Sequence, residues 1–482
     1  MSFRPALRLA IITALLGSTA LPAQAETLQE ALVAAYRDNP TLTATRAGQR
    51  ATDENYNIQK ADGLPDLGLS SVFNDSVDGR SISPLTPARS LTSTLSASVP
   101  LYSGGRVRNG INGAKNRIEA GQFDVRATEL SIFSQVVAAY MDVIRAESVV
   151  SLSRNNVQVL EVNLRATNNR FQVGDLTRTD VAQSDSRLAI ARGDFRTAEA
   201  SLIEARERYI KLVGHAPVNL QQPPILPGLP STPDEAVDIA LSSNPDLAAA
   251  HKVREASGYD VRVAKGARLP TISAFANGQH FTDFGSRDGS SIVNDTRAVI
   301  VGAQLNLPLY QGGRPAAQVR QTQAFEQQAM ENETAVERDV IAQTRSLYSS
   351  WQASNEVIAS SRVAVDSSGL SLQGVRAENS VGTRTILDIF NAEQEAFIVR
   401  VQLVTAERNA YVAAFSLLAA MGRISPTDFG VPASDVIDPR NNYQRVKGKW
   451  FDWDDDAKPA PISTRTVDSA AQTATVKSSE TN

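Results

Sequence analysis

Groups able to do covalent or metal chemistry are sparse in this sequence of 482 residues. There is no cysteine, which excludes disulfides, thiolate metal sites, cysteine nucleophiles and an acylated N-terminal cysteine. The three histidines, His215, His251 and His280, stand far apart and share no metal-ligand spacing. No GxxxxGK[ST] run occurs and no GxGxxG opens a helix, so a bound nucleotide has no phosphate cradle. No candidate nucleophile has a base beside it, and neither enzyme chemistry nor a cofactor is expected. One polar pattern does recur: Thr-x-x-Asp, at 177–180 and again at 385–388. Its local chemistry is helix capping, the hydroxyl accepting a backbone N–H while the carboxylate faces the positive helix end. That accounts for Asp180 and Asp388 as helix starts and leaves a second role open.

These two turns belong to a chain that repeats itself. EALVAAYRDNPTL (30–42) matches EAVDIALSSNPDL (235–247) at a shift of 205. VPLYSGGR (99–106) returns as LPLYQGGR (307–314), Val173-Gly174 as Val381-Gly382, and Leu212-Val213-Gly214 as Ala420-Met421-Gly422, all at a shift of 208. The spacing divides the chain into a first repeat (26–220), a Pro-rich linker (221–233) and a second repeat (234–425). An extension follows over 426–482, expected to be disordered from about Lys458, where Ser, Thr, Ala and Pro dominate. Ahead of the first repeat, Arg4 and Arg8 precede an apolar run and the small-residue site Ala23-Gln24-Ala25, the pattern of a secretory signal over 1–25. The apolar run is too short for a spanning helix, which takes ~20 residues.

Each repeat holds a strand pair, expected at 64–75 with 91–102 and at 270–284 with 298–310. Leu91, Leu95, Ala97, Val99 and Leu101 alternate with Thr92, Thr94, Ser96 and Ser98. Val299, Val301, Ala303, Leu305, Leu307 and Leu309 do the same in the second repeat. Period two over such a length suits a soluble hairpin on a core or a membrane barrel, whose strands take ~9–11 residues. Tyr102 and Tyr310 close the second strand of each pair, at the place of interfacial aromatics. Gly104-Gly105 and Gly312-Gly313 then bend strand into helix. Four strands cannot close a barrel, since small barrels need about eight, so a barrel here requires several copies of the chain.

The helices carry strict heptads. Val181, Leu188, Phe195, Leu202 and Tyr209 form one row, with Ser184, Ala191, Ala198, Ala205 and Leu212 beside it. The second repeat gives Ile389, Ala396, Leu403, Ala410 and Leu417 beside Ala392, Val399, Ala406, Ala413 and Ala420. From Val107 to Phe171 no proline interrupts, enough for a helix of roughly 90–100 Å. Such periodicity fits a coiled-coil tube and equally an antiparallel coiled coil without a pore. Gly174 and Gly382 read as C-terminal caps of the long helices. With 48 Lys+Arg against 52 Asp+Glu, no basic surplus points to a nucleic-acid partner.

The duplicated Asn-Pro, the Pro-Leu-Tyr-x-Gly-Gly-Arg corner and VGTRTILD (381–388) resemble the TolC family of outer-membrane channel-tunnels over roughly 26–425. DPRNNYQRVKGKW (438–450) is similar to tails of its secretion-associated members. The resemblance implies an α+β membrane protein in the outer membrane. Three copies would share a 12-stranded barrel and a helical periplasmic tunnel, a passive exit duct for an inner-membrane pump of the RND or ABC type joined by a periplasmic adaptor. It further implies a pore constriction at Asp388 and Asn391, and gate links in which Arg384 and Asn379 tie the inner coiled coil to Thr179 and Asp180. Asn391 departs from a second acidic residue there, and Asn379 from an aromatic hydroxyl. The competing class is a non-conducting coiled-coil structural protein or adhesin.

Overall fold

The computed structural model describes residues 25–77, 89–284 and 295–476; of the expected export signal only Ala25 falls within them. The first repeat runs α1 (Leu28–Asp38), α2 (Pro40–Asp53), α3 (Asn55–Ala61), β1 (Asp66–Asp75), β2 (Arg89–Tyr102), α4 (Arg106–Gln172) and α5 (Arg178–Val213). The second runs α6 (Pro233–Ser243), α7 (Pro245–Gly266), β3 (Thr271–Asp283), β4 (Asp295–Asn306), α8 (Arg314–Ser380) and α9 (Ile386–Ala420), and a short α10 (Arg440–Val446) lies in the extension. Among the described residues no helix is long and apolar enough to cross a membrane.

The Asn-Pro repeats have one physical explanation. The Asn39 side chain accepts from the N–H groups of Thr41 (3.0 Å) and Leu42 (3.3 Å), and Pro40 needs no N–H partner at the first helical position. Its Nδ2 donates to the Leu212 carbonyl (3.0 Å), an unpaired acceptor at the end of α5. Asn244 repeats this, capping α7 and donating to the Ala420 carbonyl (2.8 Å) at the end of α9. One side chain thus starts one helix and finishes another in each repeat.

The strands form one antiparallel sheet in the order β1-β2-β3-β4, so β2–β3 pairing joins the repeats. Register sorts the faces. Leu69, Leu95, Gly278 and Val299 form one cross-strand row, and Leu67, Ala97, Ala276 and Val301 the next. Val99, Ala274 and Ala303 continue the apolar face toward the helices. On the same face toward the strand-connecting loops it stops at a polar row, Ser71, Ser93, His280 and Arg297. The opposite face carries Thr94 with Gln279 and Ser96 with Asn277, and also Phe275 and Phe281, the residues that blur the alternation of β3. Phe275 is accommodated by Gly302 across the strand, where a Cβ would come within 2.8 Å of its ring.

Two expectations change. β4 ends at Asn306, so Tyr310 lies beyond the sheet, whereas Tyr102 is the last residue of β2. Pro308, without an N–H, stops the ladder in the second repeat, while Pro100 is absorbed by an irregularity between Pro100 and Tyr102. The extension is ordered contact rather than free chain up to Val476, which packs on the main core. Thr43 and Ser463 hydroxyls meet at 2.9 Å, and Arg206 donates to the carbonyls of Thr473 (2.5 Å) and Thr475 (3.2 Å). A segment poor in apolar residues is held here by hydrogen bonds to the body.

At 67 residues each, α4 and α8 reach about 100 Å from the sheet. The backbone turns into them at Gly104-Gly105 (φ 64° and 77°) and Gly312-Gly313 (φ 60° and 79°), conformations that a Cβ disfavours. The heptad rows are the seams: Leu188, Leu202, Tyr209, Ala396 and Leu417 are buried where α4 meets α5 and α8 meets α9. The core lies midway along the long helices, where Phe133, Val136, Val143 and Val150 pack with α1 and the ends of α5 and α9.

Candidate functional site, the helix turns at the far end of the tunnel helices

About 100 Å from the sheet, each long helix reverses through a five-residue turn. Gly174 (φ 80°) and Gly382 (φ 82°) occupy the left-handed position and donate to the carbonyls of Phe171 and Asn379, both at 3.0 Å. The next helix begins with a full capping box in both turns. Asp180 N donates to Thr177 Oγ1 (3.3 Å), and its Oδ2 accepts from Thr177 N (2.9 Å) and Oγ1 (2.7 Å). Asp388 and Thr385 repeat those distances. Hydrogen bonds from Thr177 hold Asp180 below the usual carboxylate range, and those from Thr385 do the same for Asp388, with Arg384 helping. Both groups stay ionised at any physiological pH.

The other side chains of the expected gate serve their own turn in this chain. Arg384 Nε donates to Glu378 Oε2 (2.8 Å), which favours its charged form, and Asn379 Nδ2 donates to the Arg384 carbonyl (2.7 Å). Asp180 is engaged with Thr177, and Thr179 is exposed. The first turn has the matching lock, Arg170 Nε to Asp175 Oδ2 at 2.6 Å. Asn391 is the expected residue that does join the two coiled coils: its Oδ1 accepts from Arg187 Nη2 on α5 (3.1 Å).

The firmest links between the coils come from residues the sequence reading passed over. Glu393 on α9 is 7% exposed and accepts both from Asn163 on α4 (3.1 and 2.9 Å) and from Arg376 on α8 (2.9 Å). One turn earlier, Phe390 is 2% exposed and inserts beside Leu160, Leu188 and Ala191 of the first coil. Burial of such a side chain contributes about 1.5–3 kcal/mol. Glu393 lies beside a heptad position, where an acidic residue resembles an ordinary solvated flank. The spacing Phe390-x-x-Glu393, one helical step between an apolar and a charged group on one face, was the available signal. Among the described residues no group of His, Asp and Glu could hold a metal ion.

An apolar-faced sheet set on two long coiled coils that end in tight capped turns defines an outer-membrane channel-tunnel. The model of the family described as outer membrane efflux protein matches residues 31–215 and 236–423, one segment per repeat, and the chain belongs to that family. It is 33% identical to the outer membrane efflux protein BepC of Brucella suis, over 93% of this chain and 97% of that protein. It is 25% identical to the outer membrane protein TolC of Escherichia coli, over 84% of each. The crystal structure of VceC from Vibrio cholerae has the same fold, with a TM-score of 0.71 at 21% identity, covering 82% of this chain and 96% of that one. The protein is thus an outer-membrane export duct with a periplasmic tunnel.

Proposed function

We propose that three copies of this chain form a passive duct, with 12 strands in the barrel, that opens and closes at the helix turns. The observation that carries this reading is the set of apolar rows that cross all four strands on one face, with a mixed face rich in Ser, Thr, Asn and Gln behind it. Such a sheet is stable only with lipid outside and water within, and four strands close a barrel only in several copies. The chain supplies no nucleotide site, so work comes from an inner-membrane pump joined through a periplasmic adaptor. At the tip, Asp388 lines the constriction beside Asn391, whose bond to Arg187 aims it at the neighbouring coil. Glu393 and Phe390 hold the coils together in the shut state. Arg384, released from Glu378, would take an acceptor such as Asp180 or Thr179 on an adjoining coil.

Reconstitution into planar bilayers tests the duct. Detergent-extracted protein should migrate as a trimer and give small, cation-selective conductance steps that multivalent cations block from the tip side. A soluble monomer, or a trimer without conductance, would favour the structural coiled-coil alternative. Affinity capture with crosslinking would then identify the pump class, which separates drug efflux from protein secretion.

A further inference from the structure

Three large aromatic side chains stand clear of every core. Trp450, Phe451 and Trp453 are 77%, 62% and 82% exposed on the loop 447–456. The base of that loop is tied shut. Arg445 grips both carboxylate oxygens of Asp456 at 2.7 Å, and Lys449 reaches Asp454 and Asp456 at 3.2 Å each. Beneath it, Val446 is fully buried and its carbonyl accepts from Asn57 (2.9 Å), Asn442 donates to Asp53 (2.8 Å), and Tyr443 meets Tyr56 edge-on at 5.5 Å. A tied, anchored loop that turns three rings to solvent is built for contact with something outside the chain.

Its position identifies the contact. α4 leaves the strand-to-helix corner at Arg106 and serves as a ruler of about 1.5 Å per residue. α2 and α3 run antiparallel to it. Arg46 pairs with Glu129 (3.1 Å), Gln49 donates to the Ile118 carbonyl (3.1 Å), and the side chain of Gln59 touches Gly110. Gln59 therefore lies about 6 Å below the corner, and Asn57 about 10 Å, by the same rise. The extension climbs this line, with Ile437 N–H on Tyr36 (2.9 Å), then Asn442 on Asp53, then Val446 on Asn57. It turns at 447–456 and descends to Thr43 and Arg206. The aromatic loop is the apex of this strap, at the end nearest the barrel. The interfacial layer of a bilayer adds roughly 5–8 Å beyond the hydrocarbon on each side, and Trp prefers that layer. Exposed Ile58, Leu64 and Leu67 continue the apolar surface from the apex side to the lipid-facing strands.

We infer that the Trp450, Phe451 and Trp453 apex docks into the headgroup layer of the outer membrane's periplasmic leaflet, a phospholipid surface. The inference rests on the outer-membrane placement above, not on the gate. Lys447 and Lys449 are outnumbered by Asp452, Asp454, Asp455 and Asp456, so the attachment is aromatic and needs no anionic lipid. With no cysteine in the chain, an acylated cysteine cannot serve as the anchor at this level.

The chain has three tryptophans, so Trp351→Phe leaves the apex pair as the only tryptophans, excited selectively beyond the absorption of tyrosine. The assembled variant is placed in phosphatidylcholine vesicles containing 5-doxyl phosphatidylcholine. Doxyl lipid should roughly halve the emission, iodide should quench poorly, and 0.5 M salt should change neither, as expected for an interfacial aromatic anchor. In a lipid-free amphipathic polymer, iodide access should return. Full iodide access in vesicles without doxyl quenching would overturn the inference. So would protection from iodide in the vesicles without doxyl quenching, which would mean that a second copy covers the loop. Ion conductance of the same preparation reports separately on whether the duct itself is intact.

Discussion

The two long helices α4 and α8 have equal length, matching heptads and matching turns, yet they are buried very differently. α4 buries 20 of its residues within the chain, α8 only seven. α4 lies among α5, α7 and α9 and under α1 to α3, whereas among the described residues α8 packs chiefly on α9, α7 and α6. Val149 packs on the main core, while its repeat counterpart Val357 is 51% exposed. Val363 and Leu370 are exposed on the same helix. In the proposed trimer, a helix that keeps apolar residues on a surface its own chain leaves open would meet another copy. The duplication supplies two similar walls, and the first is the more fully covered inside the protomer.

The sharpest way to break this contrast is one charge placed at both equivalent positions. Val149→Asp should cost about 1–3 kcal/mol of protomer stability, because the carboxylate replaces a half-buried valine packed against the core, and chemical denaturation of the solubilised chain would show it. Val357→Asp should leave helix content intact by circular dichroism and abolish the crosslinked trimer. A Val357→Asp trimer as stable as the parent would place the copy interface elsewhere.

The sheet allows the next test, within one strand. Val301→Arg should cost about 2–4 kcal/mol per chain during refolding into lipid, while Ile300→Arg, on the interior face, should cost little and alter conductance. Equal costs at both would mean that the face assignment is wrong. At the tip, Glu393→Ala removes hydrogen bonds of a charged group worth about 1–3 kcal/mol and should raise open probability several-fold, measured in planar bilayers. Unchanged gating would reduce Glu393 to a packing residue.

The smallest effect separates the two capping boxes. Asp180→Ala and Asp388→Ala should lower thermal stability alike, since their cap geometry is the same. Only Asp388→Ala should weaken cation selectivity and block. Both carboxylates are held below their unfolded pKa, so their stabilisation is complete above the ordinary aspartate range and is lost as pH falls through the lowered value. Cation selectivity should accordingly persist through mildly acidic pH. Selectivity lost equally in both variants would assign the two turns one role.

What could be read in advance was what is local or periodic. The Asn-Pro caps, the glycine turns, the heptad seams and the corner at Gly104-Gly105 each declare themselves within a few residues. The strand of β3 was legible but its facing was not, because Phe275 stands on the face opposite the apolar rows and is accommodated by Gly302, a residue of another strand. Past Lys458 the contacts of the extension were not legible in its composition, since they are hydrogen bonds to Thr43 and Arg206 rather than a hydrophobic stripe. At the tip, the capping role of both aspartates was legible. Glu393 was not, because its partners Asn163 and Arg376 lie 230 and 17 residues away.

The equal length of α4 and α8 also limits how the molecule can evolve. A deletion in one long helix would set its turn at a different height from the other and lift a heptad seam out of register. Tolerated changes of reach must therefore occur in both repeats together, in each long helix and its coil partner alike, and in steps of seven, each shortening or lengthening the tunnel by about 10 Å. Relatives spanning wider or narrower envelopes should differ by matched seven-residue insertions in each long helix and in its coil partner, a signature that a single unduplicated helix would never need.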